Sequence, residues 1–103
     1  MTDQELRDAL GRAASEEIQV VDLSRLGLAA LPPEVGLVTS LTDLRMETNE
    51  LASLPPEVGH LANLTKLHLG NNQIAFLPAE IGRLQRLTEL TLHVNQLSEL
   101  PPN

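Results

Sequence analysis

The stretch LTKLHLGNNQIAFLPAEIGRLQR, residues 64–86, decides the fold, because the chain repeats its pattern on both sides. LTDLRMETNELASLPPEVGHLAN precedes it at residues 41–63, and LTELTLHVNQLSELPPN follows it at residues 87–103. A more divergent copy, IQVVDLSRLGLAALPPEVGLVTS, occupies residues 18–40. The four copies begin 23 residues apart. A fixed period of this kind predicts a stack of similar coils that share one core.

Within each copy, apolar residues two positions apart, such as Leu67 and Leu69, predict a short strand with one face turned to the core. An asparagine follows each of the last three strands at a fixed offset: Asn49, Asn72 and Asn95. A buried amide donates twice and accepts through its carbonyl, so it can satisfy backbone groups that a turning chain leaves free. The three residues therefore predict a structural asparagine ladder.

The second half of each coil, typified by LPPEVG, must return the chain to the next strand. Prolines at positions 32–33, 55–56 and 78 fix φ and remove donors, which predicts a turn or a few 3₁₀ residues rather than an α-helix. Gly36, Gly59 and Gly82 are expected to permit a tight bend. Because this edge is bulkier than a strand, the strands should lie on the concave side.

The repeat L-x-x-L-x-L-x-x-N-x-L-x-x-L-P-x-E-[VI]-G-x-L-x-x resembles the leucine-rich repeat family, and within it the LPxEIG subclass. Ras-binding scaffold proteins, plant Ras-group repeats and bacterial Roco proteins use this subclass. The lead-in to VVDLSRLGLAALPPEV also resembles the entry of Roco chains into their repeats, although the sequence has no GTPase P-loop. The resemblance implies an α/β fold, a right-handed leucine-rich repeat solenoid with a parallel concave β-sheet and an N-terminal helical cap. It also implies a protein-interaction scaffold.

Residues before Ile18 do not fit the repeat and predict a helix. Thr2 and Glu5 form a capping-box pattern, and apolar residues then recur at helical spacing, which predicts a helix from about Asp3 to Ala14. A first coil needs an atypical element to cover its exposed apolar side. The predicted organisation is a helical cap at residues 1–17 and repeats at 18–40, 41–63, 64–86 and, incompletely, 87–103.

Composition narrows the possible partners. Seven Lys and Arg against fourteen Asp and Glu give a net charge of −7, which disfavours nucleic acids and anionic membrane surfaces. The sequence has no cysteine with which to form the disulfide-bonded caps common in extracellular repeat domains. It also has no apolar run suited to a signal peptide or a membrane span. We therefore expect a soluble cytoplasmic protein that needs no cofactor.

The leucine register arranges the outward-facing strand residues in rows. One row is Val20, Asp43, Lys66 and Glu89, and the next is Asp22, Arg45, His68 and Thr91. A third row is Ser24, Glu47, Gly70 and His93, and a fourth is Arg25, Thr48, Asn71 and Val94. Opposite charges on adjacent strands predict ion pairs of Asp43 and Glu89 with Lys66, and of Asp22 with Arg45. The face is therefore either a self-neutralising solvated sheet or a surface that reads a partner, and both can hold at once.

The expected function is that of a non-enzymatic protein-interaction module that binds a protein partner on this concave face. The predicted partner-binding residues are Arg45, Glu47, Lys66, His68, Asn71, Glu89, Thr91 and His93. The alternative is a structural N-terminal fragment of a larger signalling protein, linked to a GTPase or kinase, with no independent binding role. No serine has the neighbouring histidine and acid of a nucleophile arrangement, which disfavours an enzyme.

Three further features have less specific interpretations. His68 and His93, with Glu47 or Glu89, have metal-ligand chemistry, but flexible side chains on an open face would make a loose site, so we expect no metal. Phe76, the only aromatic residue, is either a partner anchor or, as we favour, partly packed against the next coil. The fourth repeat stops after Leu100–Asn103, so Leu87, Leu90, Leu92, Leu97 and Leu100 are expected to leave an open edge that promotes self-association.

Overall fold

The computed structural model describes residues 1–95. Within them, one α-helix, α1 (Asp3–Ser15), precedes the strands β1 (Val20–Asp22), β2 (Asp43–Arg45), β3 (Lys66–His68) and β4 (Glu89–Thr91). The 3₁₀ helices Pro33–Leu37, Pro56–His60 and Ala79–Arg83 lie between consecutive strands. Each complete coil is therefore a three-residue strand followed by a return segment, and the predicted 3₁₀ conformation of that segment is confirmed.

The strands form one parallel sheet in the order in which they occur along the chain. Leu44 pairs with Leu67, and Leu67 pairs with Leu90, so equivalent residues of successive repeats stand side by side. The first strand joins in the same register, with Val21 opposite Leu44. The predicted α/β leucine-rich repeat solenoid, with its parallel sheet and N-terminal helix, is confirmed.

The core is a column of aliphatic side chains between the sheet and the return segments. Leu41, Leu44, Leu64, Leu67 and Leu69 are all 0 % exposed. Burial of each such side chain contributes about 1.5–3 kcal/mol relative to leaving it in water. The ladder leucines are therefore the main source of stability, and their spacing fixes which residues point away from the core.

Two return-segment glycines, Gly36 and Gly59, allow close packing of adjacent coils, which is not the role expected from the sequence. None of Gly36, Gly59 and Gly82 has a positive φ. A Cβ on Gly36 would lie 2.8 Å from the Glu57 carbonyl oxygen, and one on Gly59 would lie 2.9 Å from the Glu80 carbonyl oxygen. The expected role was wrong because a single coil does not show how near the next one lies.

Helix α1 packs against the first coil. The Thr2 side chain accepts a hydrogen bond from the Glu5 N–H, and the Glu5 carboxylate accepts one from the Thr2 N–H, which completes the predicted capping box. The hydrogen bond from the Thr2 backbone N–H is the main cause that lowers the pKa of Glu5. Leu6 and Leu10 are buried in the same core cluster as the repeat leucines, so the helix covers the apolar side of the first repeat. No helix within residues 1–95 combines the length and apolar character needed to cross a membrane.

The fourth repeat is less completely covered than the second and third. Leu90 is 37 % exposed, whereas its register partner Leu67 is 0 % exposed. Leu87 and Leu92 are only partly buried against the core. Leu97 and Leu100, the other residues of the expected open edge, lie outside the described residues. Within the described sheet, β4 has a neighbour on one side only.

Candidate functional site

The sheet presents the predicted rows of polar side chains on the face opposite the leucines. We define the concave face as the outward residues of β1–β4 and of the short turns that follow them. Arg45, Lys66, Asn71, Glu89 and His93 are exposed there, and Glu47, His68 and Thr91 are half-buried. Register pairing puts Lys66 between Asp43 and Glu89, and His68 between Arg45 and Thr91. All eight predicted partner-binding residues therefore lie on adjacent strands or the turns that follow them.

The ion pairs on this face differ from those expected. Among the described residues, no ion pair involves Lys66. Asp43 instead accepts a hydrogen bond from Arg45 on its own strand, with 3.3 Å between Arg45 Nη2 and Asp43 Oδ2. This hydrogen bond, with the charge of Asp43, raises the pKa of Arg45. The expected pairs of Lys66 were wrong because both carboxylates turn toward the second row.

His68 is the group toward which those carboxylates turn. Its Nε2 lies 3.6 Å from Asp43 Oδ1, and its Nδ1 lies 3.6 Å from Glu89 Oε2. The Thr91 hydroxyl is 3.5 Å from the same Nδ1. The imidazole side chain is only 13 % exposed. His68 of β3 is therefore in contact with side chains of both β2 and β4. The alternating charges of the first row predicted this role for Lys66 and not for His68.

Asp22 is held mainly by its own turn. Its Oδ1 accepts a hydrogen bond from the Ser24 N–H at 3.0 Å. That bond is the main cause that lowers the pKa of Asp22, and the nearby positive charge of Arg45 adds a smaller contribution. The expected Asp22–Arg45 pair is thus a longer-range attraction and is not among the ion pairs of the described residues.

His93 is positioned by the absence of a side chain at Gly70, in the turn that follows β3. A Cβ on Gly70 would overlap the His93 ring, so the ring occupies the space that this glycine leaves open. His93 Nε2 also lies 3.4 Å from Asn71 Nδ2.

The two histidines do not come together with acidic residues in a metal site. His68 faces Asp43 and Glu89, and within residues 1–95 no group of three or more His, Cys, Asp or Glu side chains is placed to hold a metal ion.

The three predicted ladder asparagines lie beneath the concave face. Asn72 Oδ1 accepts from the Leu51 N–H at 3.0 Å, and its Nδ2 donates to the carbonyls of Met46 and Leu69, each at 3.0 Å. Asn49 makes the corresponding bonds to the first coil, and Asn95 accepts from the Ile74 N–H. Each amide therefore ties its own turn to the preceding coil and fixes the height of the concave residues above it.

The residue before each ladder position has a left-handed backbone. Arg25, Thr48, Asn71 and Val94 have φ between 55° and 61°. Their residue types gave no common signal, because only asparagine is typical of this conformation. This conformation lets the backbone N–H of the left-handed residue donate to a carbonyl of the next coil. The N–H of Thr48, for example, donates to the Gly70 carbonyl at 2.9 Å.

A second ladder, missed in the sequence, lines the edge at which the chain enters the strands. The hydroxyl of Thr65 donates to the Thr42 carbonyl at 3.0 Å, and that of Thr88 donates to the Thr65 carbonyl at 3.2 Å. An open groove of about 720 Å³ runs along this edge. Arg86 donates to Asn63 Oδ1 there at 2.9 Å. The recurring Leu-Thr pair at positions 41–42, 64–65 and 87–88 was the available signal.

Phe76 lies away from the concave face and is 57 % exposed. Its counterpart in the fourth repeat is Glu99, which lies outside the described residues. Phe76 is therefore more exposed than buried.

A parallel sheet with an asparagine under each of its last three turns and a leucine column behind it defines a leucine-rich repeat protein. The family model for the leucine rich repeat matches residues 39–97, which is more than half of the chain. The chain therefore belongs to the leucine-rich repeat family.

Two solved structures show the same architecture. A leucine-rich repeat protein of Leptospira interrogans is 46 % identical, with a TM-score of 0.80 over 81 % of this chain and 21 % of that one. The leucine-rich repeat domain of the type III effector XopL is 29 % identical, with a TM-score of 0.82 over 93 % of this chain and 33 % of that one. The chain thus spans a fifth to a third of these structures. A comparison with curated proteins gave no match.

Proposed function

We propose that the chain is a non-enzymatic protein-interaction module that binds a protein partner on its concave face. The proposed contact residues are Arg45, Glu47, Lys66, His68, Asn71, Glu89, Thr91 and His93. Leucine-rich repeat domains commonly bind proteins, which supports the general role. The choice of face and of residues follows from the leucine register of the sequence.

The observation that carries the proposal is the sharp division between the two sides of the sheet. Leu44, Leu67 and Leu69 are fully buried behind it, while Lys66 and Glu89 are exposed in front of it. The strand register holds the front residues at fixed spacing, so a partner meets side chains whose backbone is already ordered. Such preorganisation lowers the entropy that association must overcome.

A selection experiment tests this proposal. Binders are selected against the 103-residue chain from a randomised peptide library and mapped by the NMR shifts they cause in the labelled protein. Lys66→Glu changes an exposed concave residue, and Arg83→Glu makes the same charge change on an exposed return-segment residue. We expect Lys66→Glu to weaken binding about tenfold, corresponding to about 1.4 kcal/mol, and Arg83→Glu to leave it unchanged. Binders that map to the return segments and respond only to Arg83→Glu would overturn the proposal.

A second candidate is that the chain is the structural N-terminal part of a larger signalling protein linked to a GTPase or kinase, with no independent binding role. The observation that favours it is that the chain spans only 21 % and 33 % of two solved relatives. The downstream coding sequence separates the two candidates, since an in-frame GTPase or kinase domain would support the second.

Three finer assignments stay predictions. The LPxEIG subclass, with its Ras-group and Roco-like members, is supported by the LPPEVG and LPAEIG segments that carry the 3₁₀ helices. The cytoplasmic location depends on the composition alone. Self-association through the Leu87–Leu100 region depends partly on residues outside the described range, and sedimentation of the chain over a range of concentrations tests it.

A further inference from the structure

The His68 side chain lies between two carboxylates that belong to the strands on either side of β3. Its Nε2 is 3.6 Å from Asp43 Oδ1 of β2, and its Nδ1 is 3.6 Å from Glu89 Oε2 of β4. His68 Nε2 and Asp43 Oδ1 are both buried, and neither has a hydrogen-bond partner at these distances. Arg45 donates to the other oxygen of Asp43 and leaves Oδ1 without a donor. The position of the proton on the imidazole therefore decides which of these contacts is favourable.

A neutral imidazole has one N–H and one lone pair, so it can donate to only one of the two carboxylates. With the proton on Nδ1, the Nε2 lone pair would face Asp43 Oδ1, and two acceptors shut off from water would oppose each other. With the proton on Nε2, Asp43 has its donor, and Nδ1 can accept from the Thr91 hydroxyl at 3.5 Å. Glu89 then loses its donor, but its side chain is 48 % exposed against 12 % for Asp43, so it can turn to water. A neutral ring should therefore keep Asp43 and release Glu89.

A protonated imidazole has two N–H donors and can pair with Asp43 and Glu89 at once. The other titratable and charged groups on the strands and turns around the ring are mostly carboxylates: Asp22, Arg25, Asp43, Arg45, Glu47, Lys66, Glu89 and His93. The carboxylates among them outnumber the permanent cations, so the net charge of the surroundings does not oppose a positive ring. Protonation therefore changes the contacts of Glu89 and not those of Asp43.

Lys66 is a cation that Glu89 can reach when it leaves His68. The two residues are register partners on β3 and β4, and neighbouring strands of a sheet lie about 4.8 Å apart. Both residues are exposed, and Lys66 takes part in no ion pair of the described residues. A pair between Lys66 and Glu89 is also what the alternating charges of the first row predict.

We propose that His68 is a proton-controlled switch that determines the partner of Glu89. When the ring is protonated, it holds Glu89 and leaves the Lys66 ammonium free. When the ring is neutral, it donates to Asp43 through Nε2 and releases Glu89 to Lys66. Imidazole changes its charge between about pH 5 and about pH 8, so the concave face presents a different charge pattern at each end of this range. The inference concerns the free chain, and it stands or fails whether or not a partner binds this face.

NMR of the isotopically labelled chain at low ionic strength tests the switch between about pH 8 and about pH 5. At the upper end, we expect the ring nitrogen shifts of the Nε2–H tautomer of His68, and nuclear Overhauser contacts between the side chains of Glu89 and Lys66. At the lower end, both ring nitrogens should be protonated, and Glu89 should contact the His68 ring instead. The exchange of contacts should have the same midpoint as the titration of the ring. Contacts of Glu89 that do not change across the range, or an Nδ1–H tautomer at the upper end, would overturn the inference.

Matched histidine substitutions separate the switch from a general effect of pH. His68→Gln removes the titrating ring, so Glu89 should contact Lys66 throughout the range. His93→Gln makes the same substitution at the exposed histidine in the turn after β4 and should leave the exchange of contacts intact. Persistence of the exchange in His68→Gln, or its loss in His93→Gln, would show that another group controls Glu89. If His68→Gln does not fold, the tautomer and contacts of the natural chain decide the question without it.

Discussion

At the scale of single residues, Asn72 shows how one amide holds two coils together. Its side chain is buried, and it bonds the carbonyls of Met46 and Leu69 and the N–H of Leu51. No apolar residue of similar size could replace these contacts, because the backbone groups would stay buried and unpaired. The neighbouring Asn71 is exposed and has a left-handed backbone instead.

We expect Asn72→Ala to lower the free energy of unfolding by about 1–3 kcal/mol, since it leaves several buried backbone groups without partners. Asn71→Gly is the matched control, because glycine tolerates the left-handed backbone that alanine would strain. Urea denaturation of both variants measures the difference. Equal urea midpoints would contradict the ladder assignment.

The left-handed residues give a second prediction at this scale. Thr48 has φ of 58°, which is unfavourable for a β-branched side chain. Asparagine adopts this conformation more readily, as it does at the equivalent Asn71. Thr48→Asn should therefore raise the free energy of unfolding by about 1 kcal/mol.

Thr39→Asn is the control for this substitution, since Thr39 is exposed and has no positive φ. It should leave the stability near that of the natural chain. Thermal and urea unfolding measure both variants. An equal gain in the two, or no gain in Thr48→Asn, would show that backbone strain at position 48 is not limiting.

At the scale of elements, the spacing between adjacent 3₁₀ helices is set by glycines. Gly36 lies against the Glu57 carbonyl, and Gly59 lies against the Glu80 carbonyl. Both contacts involve backbone of the next coil, which cannot move without disturbing the core beneath it. Gly70 also lacks room for a Cβ, but its neighbour is the exposed His93 ring, which can rotate away.

This difference predicts opposite outcomes for the same substitution. Gly36→Ala should destabilise the chain by about 1–3 kcal/mol through overpacking against backbone. Gly70→Ala should have a smaller effect on stability and should instead move the His93 ring, which NMR of the histidine ring protons detects. A larger loss of stability in Gly70→Ala than in Gly36→Ala would contradict this account of the glycines.

The sequence was sufficient for features that repeat every 23 residues. The register of Leu44, Leu67 and Leu90, and the rows that follow from it, depend on a period that can be counted. The contacts of His68 depend on which way two carboxylates turn, and the strain at Thr48 depends on a dihedral angle. The left-handed backbone does recur every 23 residues, but the residue types at those positions do not repeat. The direction in which a carboxylate turns is not visible in the sequence either, so the alternation of charge along the row wrongly paired Asp43 and Glu89 with Lys66.

At the scale of the whole molecule, stability depends on the contacts between adjacent coils. Each coil contacts the coils beside it, so an interior coil gains packing energy from two sides. Helix α1 supplies the missing neighbour of the first coil through Leu6 and Leu10. Stability should therefore be highest in the second and third coils and lower at β4, whose described sheet neighbour is β3 alone.

Leu67 and Leu90 occupy equivalent positions and provide the test of this gradient. Leu67 is fully buried between two strands, so Leu67→Ala should lower the free energy of unfolding by about 2–5 kcal/mol, as expected for a buried cavity. Leu90 is 37 % exposed, so Leu90→Ala removes less buried surface and should cost clearly less. Urea unfolding measures both losses. Hydrogen exchange of the natural chain should also be slower for the amide of Leu69, which donates to the Thr91 carbonyl, than for the amide of Val94, an exposed residue. Equal losses in the two variants would mean that the fourth coil is as stable as the third. The number of neighbouring coils would then not determine how much each coil contributes to the free energy of unfolding.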